Sequence, residues 1–599
     1  MDKKSFAGIG LGLVSLTYGL VACTSTSPDG GGTGGASGAP TGGTGATGGS
    51  NAGGKSAGGS AGAPATGGTA GTGGTGTGGN AVGGAGGAGA GAGGAGGNAV
   101  GGASGAGAGS GGTLAGAGMG NASGGLGGTS AGAAGASGSG GMTTDVTVQL
   151  GMLRQEMAGF GINNNWAPAM TDAVADRLFG NGPQQLGMNI LRIGMGSDGN
   201  PYNTSTYADI DKVVARGAEY IIGTLWSPPA NCKSNNSIID GGHLLESCYE
   251  SWSDTIAAFP AKIAANSTGT LYAMSPQNEV DFASCGREEP CNGNYDTTVM
   301  NGAEAAAFMK IVGPKLRATG TKVMSVEASE WLHVWSNESA CCSVPSMLPS
   351  SDPLNCGVPV TNCTKGAPFD DGYEYGYALW ADPDAWASFD IMGTHQYDSQ
   401  IGYAWPADVT EKKPVWQTEM SGVKWWPEQG TEDANGVLTG CSTHIENGVA
   451  VARWIHSGIT VGEASAWLYW WYQAIDTDDN EGLICKNGNV AKRLWTFGQF
   501  SKFIRPGHRM ATVTGVLPDK VLLAASLGPD GKVVVVAINE TTAAVNLPIT
   551  IAGGMAPTMM NVTQTSATDD LAAKDPVAVT GGVLNAALPA MSVTTFVSM

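Results

Sequence analysis

Two glutamates stand where a pair of carboxyl groups could share acid and nucleophile work. Glu279 closes the run Ser275-Pro276-Gln277-Asn278-Glu279, and Glu419 closes Trp416-Gln417-Thr418-Glu419 before Met420. Each follows a short apolar stretch of strand character, in a setting rich in aromatic and amide side chains. Breaking a glycosidic bond needs such a pair: one carboxyl group that donates a proton to the leaving oxygen, and one carboxylate that faces the anomeric carbon. A single strand-end glutamate is more often a salt-bridge partner; two in matched settings favour the chemical role.

The elements that must position this pair are legible around it. Short β-rich apolar runs occur at 156–162, 188–193, 220–226, 271–275, 322–326, 389–393, 414–416 and 464–471. Stretches with helical spacing lie between them, as at 172–178 and 302–316. Eight buried strands separated by helices predict an α/β fold, a parallel (β/α)8 barrel over residues 144–507. Glu279 and Glu419 would then end strands four and seven, which face each other across the barrel mouth. After Pro506-Gly507 the runs are β-branched and separated by Gly, Pro, Asn or Asp, at 511–517, 521–526, 532–539, 544–551 and 592–597. They predict an antiparallel β-sandwich over 508–599 with a structural or auxiliary role. A strand-like run at 146–150 precedes the barrel and is a candidate to pair with that sheet.

The N-terminal part has a different character. Residues 1–22 have the form of an export signal, with Lys3 and Lys4 ahead of an apolar stretch. It ends Leu20-Val21-Ala22-Cys23, which resembles a bacterial lipobox whose cysteine is acylated; an ordinary cleaved signal is the alternative. Residues 31–140 hold about half of the chain's 100 glycines, Lys55 as their one charged residue, and no aromatic. Such a segment cannot bury enough apolar surface to offset its ordering entropy, so 23–143 is expected to be a disordered tether reaching roughly 60 Å. An adhesive role for this Gly-Ala tract is the other reading. No later run is long and apolar enough to span a bilayer, so membrane contact is expected through the lipid anchor alone.

The net charge of −20 falls mostly after residue 140 and disfavours nucleic acid and anionic lipid as partners, leaving neutral polymers open. Ten cysteines follow Cys23, an even number suited to disulfides in an exported chain. All lie in segments downstream of the barrel strands. Cys232 with Cys248 and Cys285 with Cys291 are the pairs nearest in sequence. A zinc site is poorly supported, with no CxxC pair and only six histidines. No metal or cofactor is expected.

Further residues match a known pattern in order: Gly159-Phe160-Gly161, Leu191-Arg192-Ile193, Trp226-Ser227-Pro228-Pro229, Ser275 to Glu279, Thr394-His395-Gln396-Tyr397, Thr418-Glu419 and Phe500-Ser501-Lys502-Phe503-Ile504-Arg505-Pro506-Gly507. In these the chain resembles glycoside hydrolase family 30. The resemblance implies that Glu279 is the acid/base and Glu419 the nucleophile, that Asn278 binds the 2-hydroxyl of the attacked sugar, and that Arg192 and Tyr397 support the nucleophile. A guanidinium beside Glu419 is expected to lower its pKa, and apolar crowding to raise that of Glu279. Trp166, Trp226 and Trp470 are candidates for stacking on sugars, with Trp471 pointing the other way along its strand. His395 is either a cleft residue or a satisfied core histidine, and Glu327 and Glu330 are read as structural acids, contact with substrate being the other reading. The sequence departs from the family at Val280, where a proline is usual, and at Ile162, where a glycine is usual.

What the resemblance implies is a retaining endo-β-glycosidase acting on an extracellular polysaccharide, xylan first. A β-1,6-galactanase or β-1,6-glucanase is the alternative within the family, and a non-catalytic carbohydrate-binding protein the alternative outside it. In the family's glucuronoxylanases an arginine follows the Trp-Trp-Tyr of strand eight. Here Trp470-Trp471-Tyr472 runs into Gln473 and Ala474, with Asp476, Asp478 and Asp479 behind. A requirement for glucuronate side groups is therefore not expected.

Overall fold

The computed structural model describes residues 146–239, 241–282, 296–335, 374–397, 402–421, 431–432, 438–439, 443–475 and 481–599. The chain enters through β1 (Thr147–Glu156) and then builds β2 (Gly159–Asn163), β3 (Ile190–Met195), β4 (Tyr220–Leu225), β5 (Leu271–Met274), β6 (Lys322–Val323), β7 (Met392–His395) and β8 (Val415–Glu419). A small hairpin of β9 (Thr431–Glu432) and β10 (Leu438–Thr439) precedes β11 (Ala464–Gln473), beside which β12 (Gly482–Ile484) adds a short parallel strand. The parallel sheet runs β6-β5-β4-β3-β2-β11-β8-β7. Bridges from Met324 to Ile391 and from Ala328 to Thr394 join its two ends. The eight strands are those expected from the apolar runs, and the fold is a (β/α)8 barrel.

Strand alternation sorts the barrel side chains by height. Ile190, Ile222, Met324, Ile391, Trp416 and Leu468 form one apolar layer, with Tyr220 and Tyr272 packed against it. Two residues further along their strands, and so on the same face, come Arg192, Thr224 and Thr418, all fully buried. The opposite faces, such as Leu191, Ile193 and Ile221, join the cluster packed against the helices. The first strand begins at Gly159, whose φ of +127° no other residue adopts readily, and where a Cβ would collide with the Asn189 amide. That amide accepts from Phe160 N–H (3.0 Å) and donates to Ala158 O (2.7 Å), tying the first strand to the loop before the second.

Helices between strands carry the caps their sequences advertise. Thr171 accepts from Val174 N–H at the start of Asp172–Phe179. Asn301 and Glu304 form a reciprocal capping box on Gly302–Ala318.

The second sheet joins β1 with β13 (Arg509–Thr514), β14 (Val521–Leu527), β15 (Val533–Asn539), β16 (Val545–Ala552), β17 (Met559–Thr565), β18 (Ala572–Thr580), β19 (Val583–Leu588) and β20 (Ser592–Ser598) in a closed path. β1 lies in sequence before the barrel yet belongs to this sheet, as the strand-like run at 146–150 suggested, so the barrel's strands begin at Gly159 and not at the expected 144. It pairs antiparallel with β13 and parallel with β16, so the sheet is not purely antiparallel. Helices Ile445–Thr460 and Lys492–Ser501 form the barrel's contact with it. Arg453 makes a two-pronged ion pair with Glu540 at 2.6 Å per contact, and His456 Nε2 lies 3.1 Å from Leu523 O.

Candidate active site

Arg192, on the second barrel strand, organises the mouth. Its Nη1 donates to Glu419 Oε2 at 2.6 Å, and its Nη2 donates to Asn278 Oδ1 at 2.6 Å and to Glu327 Oε2 at 3.1 Å. The guanidinium carbon sits 5.1 Å from the centre of the Trp226 ring. Tyr397 O–H donates to the other oxygen of Glu419 at 2.9 Å. Among the described residues Glu279 touches no lysine or arginine directly; its Oε1 lies 2.9 Å from His395 Nδ1. One oxygen each from Glu279 and Glu419 and a ring nitrogen of His395 all fall within 4.8 Å of one another. That spacing would also suit a metal ion, but Glu419 Oε2 is already engaged by a buried cation.

Backbone irregularities aim these side chains. Pairing of β7 with β8 shifts register between Thr394 and His395, so that His395 meets Glu419 where strict pairing would give Thr418. The bulge lets consecutive residues address the barrel axis: the Thr418 hydroxyl donates to Glu327 Oε1 while Glu419 reaches Arg192. Glu279 has φ +42°, a left-handed conformation that a non-glycine residue holds only under constraint. The flanking bonds supply that constraint: Glu327 N–H donates to Gln277 O (2.9 Å), and Val280 N–H donates to Glu327 O (3.1 Å). The second of these is one a proline at 280 could not make.

The electrostatics separate the groups. Burial, then the charge of Asp281, raises the Glu279 pKa to about 8, with Arg192 pulling against them and Glu327 adding to the rise. Asp281 itself is held below the ordinary carboxylate range despite its burial, because His333 Nδ1 (2.7 Å) and the N–H groups of Ser329 (2.7 Å) and Glu330 (3.3 Å) surround it. Burial lowers His395, leaving it a neutral imidazole at neutral pH. Burial pushes Tyr397 well up, and the charge of Glu419 adds to this, so it stays a hydroxyl donor. The expected lowering of Glu419 is not found: burial pushes it up, and His395 and Arg192 only oppose this. Since His395 is neutral, the guanidinium is the charge that does the opposing. Glu327 goes the other way; although burial favours its acid form, Arg192 and hydroxyls from Thr224 and Thr418 hold it ionised.

An aromatic group lines the same mouth. Trp166 lies 5.0 Å from Trp226, 5.1 Å from Tyr202 and 5.8 Å from Trp470, measured between ring centres. Trp226 and Trp470 are buried and Trp166 is half-buried, so Trp166 is the most accessible of the three. Trp471 departs from expectation. Its ring stacks on Trp470 at 5.6 Å, and its Nε1 donates to Asn165 O at 2.8 Å. A register shift between Tyr469 and Trp471 in the pairing with β2 breaks the alternation on which the expectation rested.

The structure thus brings Glu279, Glu419, Asn278, Arg192, His395, Tyr397, Trp226, Trp166 and Trp470 to one end of the barrel. Cys232 and Cys248 are joined by a disulfide across the loop after β4. Cys285, Cys291 and Cys23 lie outside the described residues. Sequence reasoning did not single out Asp281, His333 or Thr224, gave Thr418 no role beyond its place beside Glu419, and read Glu327 first as a structural acid. The placement of Thr224 and Thr418 two residues beyond Ile222 and Trp416 was the available signal.

A barrel of this kind with two carboxyl groups at its mouth is the architecture of a glycoside hydrolase, and that is the class of this protein. Residues 508–596 match the glycosyl hydrolase family 30 beta sandwich domain. Glucuronoxylanase XynC of Bacillus subtilis (strain 168) is 27% identical over 465 residues, covering 76% of this chain and 92% of that protein. The glycoside hydrolase family 30 subfamily 8 xylanase Xyn30A from Clostridium acetobutylicum aligns with a TM-score of 0.59 at 26% identity, covering 76% of this chain and 99% of that one. A family 30 endoxylanase from Clostridium papyrosolvens gives 0.56 at 26% identity, with 76% and 100% covered. The chain is thus similar, over most of its folded length, to enzymes of glycoside hydrolase family 30.

Proposed function

We propose that this chain is a retaining endo-β-glycosidase that cuts an extracellular xylan and needs no glucuronate side group. The observation that carries the mechanism is the approach of a Glu279 oxygen and a Glu419 oxygen to within 4.8 Å. Retaining enzymes hold their carboxyl groups about 5 Å apart, whereas inverting ones leave room for a water between them. In the first step Glu279, proton-bearing, donates to the leaving oxygen while Glu419 bonds to the anomeric carbon. In the second, Glu279, now ionised, takes a proton from the water that displaces Glu419. Glu419 is the carboxylate in contact with a formal cation, so of the two it ionises first. Asn278, its Oδ1 taken by Arg192, offers its NH2 group to the 2-hydroxyl of the sugar.

The xylan assignment draws on the relatives, a glucuronoxylanase and two xylanases. Independence from glucuronate draws on the strand-eight sequence, where Gln473 and Ala474 stand in place of a cation. A charge-assisted contact is worth roughly 1.5–3 kcal/mol, so its loss removes about a ten- to hundredfold preference. Lys424 and Arg287, the cations another loop could bring, lie outside the described residues. Initial rates on glucuronoxylan, on its carboxyl-reduced form, and on β-1,6-galactan and β-1,6-glucan decide the matter. Equal cutting of the first two is expected; cutting of glucuronoxylan alone, at a fixed distance from each uronate, refutes the reading. Export with acylation of Cys23 is proposed for the location, on the strength of Leu20-Val21-Ala22-Cys23.

A further inference from the structure

Glu327 is a fully buried carboxylate that neither step above uses. It is placed one layer above the apolar floor of the barrel, where an ion pair adds little net stability over well-packed apolar residues. Its contacts run toward the reacting groups. Oε2 accepts from Arg192 Nη2 (3.1 Å) and Thr224 Oγ1 (2.6 Å), and Oε1 accepts from Thr418 Oγ1. Arg192 Nη2 thereby donates to both Asn278 and Glu327, with His395 Nε2 a more distant neighbour at 3.5 Å. With the Trp226 ring beneath it, the guanidinium plane has no freedom left, and Nη1 is aimed at Glu419 Oε2.

Resting on the two-carboxyl reading above, we propose that Glu327 is a positioning residue: it locks the plane of Arg192 and shares its charge, so that one guanidinium orients Asn278 and Glu419 without fully neutralising the nucleophile. A private Arg192–Glu419 pair would be bidentate and more strongly stabilised, hence a poorer nucleophile in the ground state. The main chain of Glu327 serves the same site from behind. Its N–H and C=O bracket the strained turn at Glu279 through Gln277 and Val280. Replacing the side chain leaves those two bonds in place, so a side-chain variant reads the guanidinium contact alone.

The charges around Glu327 set the expected pH response. Arg192 faces it from β3, His395 from β7 (3.9 Å), Glu419 from β8, and Glu279 and Asp281 from the segment after β5, with His333 and Glu330 behind Asp281. Glu327→Gln keeps the shape and removes the charge. It should lower kcat at least tenfold with KM within twofold, and move the alkaline limb of kcat/KM to lower pH, because a negative neighbour of Glu279 is gone. Glu327→Asp keeps the charge but withdraws it from Arg192, so it should lose kcat while retaining the wild-type limb. A purely structural residue would lower the melting temperature and leave kcat per folded molecule and both limbs unchanged; that result in Glu327→Gln overturns the proposal. If the Gln variant does not fold, wild-type kcat in the Asp variant overturns it equally. A wild-type protein that cuts none of the four polymers refutes the functional reading; an active wild type with an indifferent Glu327 refutes only this one.

Discussion

Raising the pH should switch the acid off, and the structure says where. With Glu279 at about 8, roughly nine molecules in ten carry the proton at pH 7 and roughly one in ten at pH 9. A glutamate at its ordinary value would be protonated in only about three molecules per thousand at pH 7. The prediction is a kcat/KM on polymer that holds to about pH 7 and then falls about tenfold by pH 9, reporting the free enzyme's acid. Initial rates of reducing-end release below KM, from pH 5 to 10, measure it, with circular dichroism at each pH to exclude unfolding. An aryl xyloside whose leaving group needs no proton supplies the control, since its bond-breaking step should lack the limb. Asp281→Asn removes the charge that ranks next after burial in raising Glu279, so its limb should lie at lower pH. A kcat/KM that is flat through pH 9, or a limb below pH 6, would refute the assignment of Glu279 or its environment.

Three further outcomes are expected. Glu419→Ala should lose turnover and regain part of it with azide, giving a glycosyl azide of inverted configuration, whereas Glu279→Ala should still cleave substrates with acidic leaving groups; wild-type rates on polymer in either variant would contradict the roles. His456, under the second sheet, sits at about 4 in the folded protein against an ordinary 6.5, because burial opposes its charge. Its folded pKa is the lower one, so its contribution is present above pH 6.5 and is lost as pH falls through 4. The gap corresponds to about 3 kcal/mol, and partial exposure of the ring brings this to about 2 kcal/mol. His456→Gln should therefore lose about 2 kcal/mol less than wild type between pH 7 and 4.5 in urea unfolding, and equal losses would show that another group governs acid lability. Cys23→Ser should move the protein from the membrane fraction to the soluble exterior; a wild type already soluble, with its N-terminus beyond Cys23, rejects the anchor.

The barrel was legible because its strands are short apolar runs, most of them with a helix before the next. The two carboxyl groups were legible because both close such runs amid amides and aromatics. What could not be read was anything that depends on a broken period. Thr418 with Glu419, and Trp470 with Trp471, follow bulges that let adjacent residues share a direction, and nothing in their composition marks a bulge. The Arg192–Glu327 contact joins residues 135 positions apart, and only the closed barrel makes them neighbours. In the second sheet β17, β18 and β19 escaped notice. β18 is mostly exposed and carries Lys574, Asp575 and Pro576, a composition that argues against a strand unless its neighbours are already known. The direction of Glu419's pKa was missed for another reason: a nearby guanidinium is visible in sequence, but the depth of burial it must overcome is not.

The early strand β1 has a mechanical consequence. Tension arriving along the chain from the residues before 146 meets β1 first, and β1 is held on one side by β13 and on the other by β16. The load is borne by two hydrogen-bonded ladders and passes to the second sheet. The barrel, threaded between β1 and β13, lies off that path. A catalytic mouth whose groups must keep their spacing to within a fraction of an ångström is thereby shielded from a pull on the chain ahead of it.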